Sequence, residues 1–195
     1  MRRFLKKIEG RLSNQPLFAI LMISLTAVIT YVSAFHSLGY YYDDWYTLWS
    51  GISRGANSLI PLFSRDRPFM GMVYSLFFHL VGAKILGWHW LALLFRVASG
   101  IAFYWILRLV FPKLKELAVL AAMIFVVFPG FLAEPNAATK VNQLMGFSAA
   151  LFSIALSIKA FKEYRRTWKY IFTGLSLLTL AYYLWIYEYM IGLEV

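Results

Sequence analysis

The stretch from residue 16 to residue 35 carries no charged side chain and is about 30 Å long as a helix, which matches the hydrocarbon core of a bilayer. A cleaved signal peptide is the alternative, because Val32, Ser33 and Ala34 resemble a cleavage site. The apolar run, however, exceeds the core of about 7–15 residues that signal peptides have. The sequence therefore predicts an uncleaved membrane anchor over 16–35.

The remainder of the chain is also too apolar for a soluble domain. Hydrophobic residues make up 61% of the 195 positions and charged residues 14%, against about 45–50% and about 25% in soluble domains. The net charge of +10 comes from short basic clusters between apolar runs, which indicates membrane topology and no nucleic-acid partner. The absence of cysteine excludes disulfides, thiolate metal sites and cysteine nucleophiles.

Four further runs are long and apolar enough to cross a membrane: 88–111, 117–133, 144–158 and 170–187. The ambiguous segment is 68–86, which is long enough to cross but contains His79 and Lys84. If it crosses, the chain has six spans and 11 basic residues outside against 7 inside. If it lies along the outer interface, 13 are inside and 5 outside, as the positive-inside rule requires.

The sequence thus predicts an all-α integral membrane protein with about five transmembrane helices and a cytoplasmic N-terminus. The first outer loop, 36–87, carries a juxtamembrane helix over about 68–86. A shorter outer loop covers 134–143, and the chain stops soon after the last span. We therefore expect residues 1–195 to form a single transmembrane module that is part of a longer protein.

The strongest candidate for chemistry is the acidic pair Asp43 and Asp44, which follows the first span within a run of aromatic residues. Aromatic residues are ordinary at a membrane interface, and solvated acids among them are the plain alternative. Two adjacent carboxylates near a low-dielectric boundary repel each other, which should raise the pKa of one and suit it to accept a proton. Tyr42 and Trp45 flank the pair and are candidate substrate contacts.

Basic and amide side chains near the outer face supply candidate phosphate ligands. Arg65 and Arg67 precede Pro68 and could bind a phosphate or simply lipid headgroups. Arg96 lies within a span, where it needs a partner or snorkels to the interface. The other candidates in the outer segments are Lys140, Asn142, Gln143 and Glu188. The histidines show no metal-ligand spacing, so the sequence predicts no metal site.

Three motifs in this order resemble the GT-C membrane glycosyltransferases, in particular family 39, which contains protein O-mannosyltransferases and lipid A aminoarabinose transferases. They are the acidic pair in Tyr42-Asp43-Asp44-Trp45, the basic-proline step Arg67-Pro68-Phe69, and the arginine in Phe95-Arg96-Val97-Ala98-Ser99. Family 39 commonly has Asp-Glu and Lys-Pro-Pro at the first two motifs. Because of these departures, the sugar and the acceptor cannot be transferred from the family.

The resemblance implies a GT-C-like fold and transfer of a sugar from a polyprenyl-phosphate donor to an acceptor at the outer face of the membrane. It also implies a bacterial inner membrane and makes Asp43 or Asp44 the residue that removes the acceptor's proton or aligns its nucleophile. Arg65, Arg67, Arg96 and Lys140 would then be ligands of the departing phosphate. The sequence leaves open whether Asp43 or Asp44 binds a divalent cation together with the donor phosphate. The alternatives are a non-catalytic transporter or assembly subunit and an inactive glycosyltransferase relative.

Overall fold

The computed structural model describes residues 16–41, 43–128 and 137–186. Helices account for 85% of these residues, and no strand occurs among them. The prediction of an all-helical protein is therefore confirmed. In chain order the α-helices are α1 (Pro16–Val32), α2 (Asp43–Arg54), α3 (Leu59–Leu62), α4 (Pro68–Val81), α5 (Ile85–Val110), α6 (Lys115–Val126), α7 (Ala137–Lys162) and α8 (Arg166–Ile186).

Three helical segments of the described chain are long and apolar enough to cross a membrane: Pro16–Ser37, Ile85–Val110 and Ala137–Lys162. They contain α1, α5 and α7 and correspond to the predicted spans 16–35, 88–111 and 144–158. The predicted spans 117–133 and 170–187 correspond to α6 and α8. Of these, α6 has 12 residues within the described part, and residues 129–133 and 187 lie outside it.

The ambiguous segment 68–86 is not a single helix, which corrects that prediction: residues 68–81 form the shorter helix α4, and Ile85 and Leu86 begin α5. With 14 residues, α4 is about 21 Å long, which is less than the hydrocarbon core requires. Pro68 occupies the first turn, where a missing amide hydrogen costs nothing, and the helix stops at Gly82, whose φ is +61°. The indole of Trp88 donates a hydrogen bond of 3.0 Å to the carbonyl of Gly82 and fixes this turn.

The polar residues predicted to lie in the loop 134–143 belong in part to a helix, which corrects that assignment. From Ala137 onward they form the first turns of α7, including Thr139, Lys140, Asn142 and Gln143. The 26 residues of α7 span about 39 Å, so the helix is longer than the apolar layer it could cross. Hydropathy identifies only the apolar part of a helix, so it did not predict the polar first turns of α7.

The long helices pack in a fixed order. α5 lies along α7, and α7 lies along α8, while α1 and α6 pack on another side of α5. At Gly100 of α5, an added Cβ would lie 2.3 Å from a methyl carbon of Val126 and 3.1 Å from one of Ile23. The missing side chain thus lets α1, α5 and α6 approach closely.

The short helices α3 and α4 meet at Gly71. A Cβ added there would lie 2.8 Å from the backbone oxygen of Leu59 and 2.9 Å from that of Ile60. Backbone atoms cannot move aside as a flexible side chain can, so any larger residue must push α4 away from α3. Gly71 therefore sets the position of α4.

We expect Gly71→Ala to lower the free energy of unfolding by about 1–3 kcal/mol, the usual cost of overpacking. Gly174→Ala is the matched control, because a Cβ at Gly174 meets nothing within 4 Å and alanine favours the helix by about 0.5–1 kcal/mol. Thermal unfolding of the purified protein in detergent measures both. Equal stability of the two variants would contradict the close contact of α3 and α4.

Candidate functional site

Helix α2 separates the two carboxylates of the acidic pair. Successive residues of a helix point about 100° apart, so Asp43 and Asp44 cannot share an environment. Asp43 is exposed at the start of the helix, whereas the side chain of Asp44 is fully buried. Both lie in the first turn, where the helix dipole favours negative charge. The pair therefore provides one accessible and one structural carboxylate.

Asp44 holds the first turn of α7. Its Oδ1 accepts a hydrogen bond of 2.9 Å from the backbone amide of Thr139 and one of 3.0 Å from the Thr139 hydroxyl. The backbone amide of Ala138 also stabilises the carboxylate. The first amides of a helix have no partner within it, so Asp44 acts as a cap supplied from another helix. This contact fixes α2 against α7.

Burial raises the pKa of the Asp44 carboxyl, and the hydrogen bonds from Thr139, Tyr41 and Ala138 oppose that rise. The repulsion from Asp43 that the sequence led us to expect is not among the causes. The reason is geometric, since the two side chains leave the helix in different directions. Burial, and then the nearby Asp44 carboxylate, also raise the pKa of Tyr40.

A cavity of about 300 Å³ opens beside Asp43 and is called the polar pocket below. Its volume lies at the small end of the range of ligand pockets, about 300–1,000 Å³. Its walls combine two carboxylates, a guanidinium, two threonine hydroxyls, an amide and two phenols. The lining residues are Asp43, Tyr46, Thr47, Phe63, Asp66, Arg67, Met70, Tyr74, Thr139 and Gln143.

Three residues proposed from the sequence thus meet in the polar pocket, namely Asp43, Arg67 and Gln143. The Arg67 side chain is 28% exposed, and its Nη1 lies 3.7 Å from Oδ2 of Asp66. Lys140 donates a hydrogen bond of 2.5 Å from Nζ to Oε1 of Gln143, which ties its charge to the pocket wall. The walls of the pocket therefore combine an accessible carboxylate with cationic and amide donors.

A larger apolar groove, with a volume of about 750 Å³, lies between α4, α5, α7 and α8. Aromatic and aliphatic side chains dominate its walls, among them Phe69, Met72 and Phe77 of α4 and Met145 and Phe152 of α7. Along α7 the lining runs from Met145 to Leu156, about 16 Å by helix rise. We call this the apolar groove.

The structure does not bring Arg65, Trp45, Arg96 or Asn142 to the polar pocket. Arg65 and Trp45 are exposed and do not line it. Arg96 is buried in α5, with its guanidinium 4.2 Å above the Tyr31 ring and a hydrogen bond to the Tyr31 hydroxyl. Asn142 is fully buried on α7. Tyr42 and Glu188, also proposed, lie outside the described residues.

Sequence reasoning missed Thr139, Asp66 and Thr47 as pocket residues. Asp66 stands between Arg65 and Arg67, and its acidic side chain next to two proposed phosphate ligands was a usable signal. Thr139 carried no comparable signal, because its role depends on α7 beginning before it and on Asp44 reaching it. Long-range contacts of this kind are not encoded in local sequence.

Among the described residues no group of three or more histidine, aspartate or glutamate side chains could hold a metal ion. The polar pocket does contain two carboxylates, those of Asp43 and Asp66. A hard divalent cation prefers six or more oxygen ligands, so a bound phosphate or water would have to complete its shell. The pocket residues alone do not build a metal site.

No protein-family model matches the chain, and no curated protein or solved structure matches it. The resemblance to GT-C glycosyltransferases therefore depends on the order and spacing of Asp43, Asp44, Arg67 and Arg96 in this sequence. No relative indicates the activity or the substrate, so both are inferred from the polar pocket and the apolar groove.

We expect Asp44→Ala to lower the free energy of unfolding by about 1–3 kcal/mol, because it leaves buried amides of α7 without an acceptor. Asp44→Asn keeps an oxygen at the same place and serves as the matched control, with a smaller loss. Folding raises the pKa of Asp44 above its ordinary value of 3.8. Above pH 3.8 the Asp44 carboxyl therefore keeps its proton more often in the folded protein than in the unfolded chain.

The stability of the wild type relative to Asp44→Asn should therefore fall as the pH rises from 3.8 to the raised pKa of Asp44, and should stay constant above it. Thermal unfolding from about pH 4 to about pH 7 measures this difference. A stability difference that rises with pH would contradict the raised pKa. Equal stability of Asp44→Ala and the wild type would contradict the cap.

Proposed function

We propose that this protein is a membrane glycosyltransferase that moves a sugar from a polyprenyl-phosphate donor to an acceptor at the outer face of the membrane. One observation carries the proposal. Helix α7 lines the polar pocket in its first turns and the apolar groove further along, and α4 borders both cavities. An amphiphile with a charged, sugar-bearing head and a long apolar chain fits that succession.

On α4 the two environments occupy different faces of a single short helix. Met70 and Tyr74 face the polar pocket, whereas Met72, Val73 and Leu76 face the apolar groove. On α7, Thr139 and Gln143 come first and the groove-lining residues follow from Met145 onward. A lipid-linked ligand could therefore place its head beside Asp43 while its chain follows α7.

In the proposed reaction the accessible carboxylate of Asp43 accepts the proton of the acceptor hydroxyl as that oxygen attacks the anomeric carbon. The bond from this carbon to the phosphate oxygen breaks, and negative charge develops on the departing phosphate. Arg67, with the Gln143 amide and Lys140 beside it, stabilises that charge in the transition state. Asp44 is a positioning residue, because it fixes the wall that carries Thr139 and Gln143.

The orientation that accompanies this proposal has five crossings, by α1, α5, α6, α7 and α8, with the polar pocket outside. The turns between α5 and α6 and between α7 and α8 then lie in the cytoplasm. They hold three basic residues at 108–115 and five at 159–169, as the positive-inside rule requires. The exposed aromatic face of α2, with Trp45 and Trp49, would rest in the outer interface.

We expect a membrane-impermeant maleimide to label Ser53→Cys but not Thr167→Cys in intact cells, since both positions are exposed and the chain has no cysteine of its own. Labelling of Thr167→Cys after permeabilisation is the control for its accessibility. Labelling of Thr167→Cys alone in intact cells would place Asp43 in the cytoplasm and overturn the proposed reaction.

We expect Asp43→Asn to lower sugar transfer by about 10²-fold or more, because it removes the proton acceptor without changing the size of the side chain. Glu116→Asn is the matched control, since Glu116 is an exposed acid in the first turn of another helix, α6. Transfer of radiolabelled sugar from a panel of polyprenyl-phosphate donors, in membranes containing the full chain, measures the activity.

Arg67→Ala and Arg65→Ala separate phosphate binding from general attraction to lipid headgroups, because the two arginines share one turn and only Arg67 lines the pocket. The proposal requires Arg67→Ala to lower transfer and Arg65→Ala to leave it nearly unchanged. Equal effects would overturn the role of Arg67. Donor binding without transfer by the wild type would favour the non-catalytic alternative.

A further inference from the structure

At the end of the bundle away from the polar pocket, two basic turns that are far apart in sequence meet. Lys162, near the end of α7, donates a hydrogen bond from Nζ to the backbone carbonyl of Leu109, in the last turn of α5. The basic residues at 108–115 and at 159–169 therefore face the same region. We call this region the basic end.

The charge of the basic end is strongly one-sided. The ranges 108–115 and 159–169 hold eight basic residues and one acidic residue, Glu163, and a second acid, Glu116, follows the first range directly. One of the two acids is already engaged, because Oε2 of Glu163 lies 3.1 Å from Nζ of Lys159. The hydrogen bond from Lys159 lowers the pKa of Glu163, so this acid stays ionised and neutralises only that lysine. A surplus of positive charge remains for a partner.

An apolar crevice of about 240 Å³ opens between the end of α5 and the start of α6. Its lining is entirely apolar and consists of Leu107, Phe111, Leu114, Leu117, Ala118 and Ala121. Two of these residues have basic neighbours in the chain, since Arg108 follows Leu107 and Leu114 stands between Lys113 and Lys115. Positive charge therefore borders an apolar slot.

Arg108 is the basic residue next to the crevice-lining Leu107 in α5. Its Nη1 donates a hydrogen bond of 2.9 Å to the Tyr104 hydroxyl, while its Nε is buried and has no hydrogen-bond partner among the described residues. A buried donor without an acceptor is costly, and an unseen ligand or water is the usual explanation. An anionic group at this place would accept that bond.

We propose that the basic end is a binding site for an anionic phospholipid of the membrane leaflet that it faces. One acyl chain occupies the crevice, and the phosphate lies among Arg108, Lys113 and Lys162. Charge complementarity favours an anionic headgroup, and the apolar lining beside it favours a ligand that carries its own hydrocarbon chain. A soluble anion would satisfy the charges and leave the crevice unfilled. This site is separate from the proposed transfer reaction.

Native mass spectrometry of the full chain in mild detergent, with an equimolar mixture of dioleoylphosphatidylglycerol and dioleoylphosphatidylcholine, tests the proposal. The wild type should retain the anionic lipid in preference. Lys113→Gln should lower that preference about fivefold, since each basic residue near such a headgroup contributes about that factor. Arg108→Gln combined with Lys113→Gln and Lys162→Gln should abolish it.

The matched control removes three exposed basic residues away from the basic end, by Arg54→Gln, Arg65→Gln and Lys84→Gln. It should leave the preference unchanged. Equal loss in the control, or an unchanged preference in Lys113→Gln and the triple variant, overturns the site, as does a wild type without preference. Lys113 is exposed, so its single variant keeps the test valid if the triple variant does not fold.

The crevice has its own test. Ala121→Phe fills it, so this variant should lose affinity for dioleoylphosphatidylglycerol and keep its weaker affinity for the short-chain dihexanoyl lipid, which has too little chain to need the crevice. Equal effects of Ala121→Phe on both lipids, or none on either, would overturn the assignment of an acyl chain to the crevice.

Discussion

The hydrogen bonds from the first turn of α7 to the buried carboxylate of Asp44 determine the geometry of the polar pocket. They join α2, which follows the first apolar helix, to a helix that begins 93 positions after Asp44 in the sequence. Because Asp44 turns inward, Asp43 must turn outward, and Asp43 and Thr139 line the same pocket. The capping role of Asp44 thus determines that the Asp43 carboxylate faces the polar pocket. Burial raises the pKa of Asp44 because it disfavours the charged carboxylate, and hydrogen bonds from the amides of α7 offset part of that rise.

The second constraint is that the polar pocket and the apolar groove share helices. Gly71 sets the distance between α3 and α4, and α4 in turn presents Met70 to the pocket and Met72 to the groove. A movement of α4 would therefore change both cavities together. This coupling suits a ligand whose head and tail must be held at once, and it would be unnecessary for a small soluble substrate.

Composition and apolar runs were enough to predict an all-helical chain, because 61% hydrophobic residues leave few other solutions. A helix that begins at Pro68 was also expected, although it ends at Val81 and does not continue to residue 86. The predictions that were wrong or missing depend on contacts between residues far apart in the sequence. The start of α7 was hidden because polar residues extend a helix beyond hydrocarbon, and the different roles of Asp43 and Asp44 depend on helix phase and on the partner Thr139. The apolar groove arises from four helices and has no local sequence signature.

Arg96 illustrates why a charge in an apolar helix need not belong to the reaction. A buried arginine is costly in an apolar surrounding unless polar or aromatic groups replace the lost water. Here the Tyr31 ring lies 4.2 Å from the guanidinium, and the Tyr31 hydroxyl in turn donates a 3.0 Å hydrogen bond to the carbonyl of Val126. These contacts join α1, α5 and α6 where Gly100 allows them to approach. Arg96 therefore helps to fix the position of α1 beside α5 and α6. The residue that the resemblance suggested as a phosphate ligand therefore contributes to the packing of three helices and does not line the polar pocket.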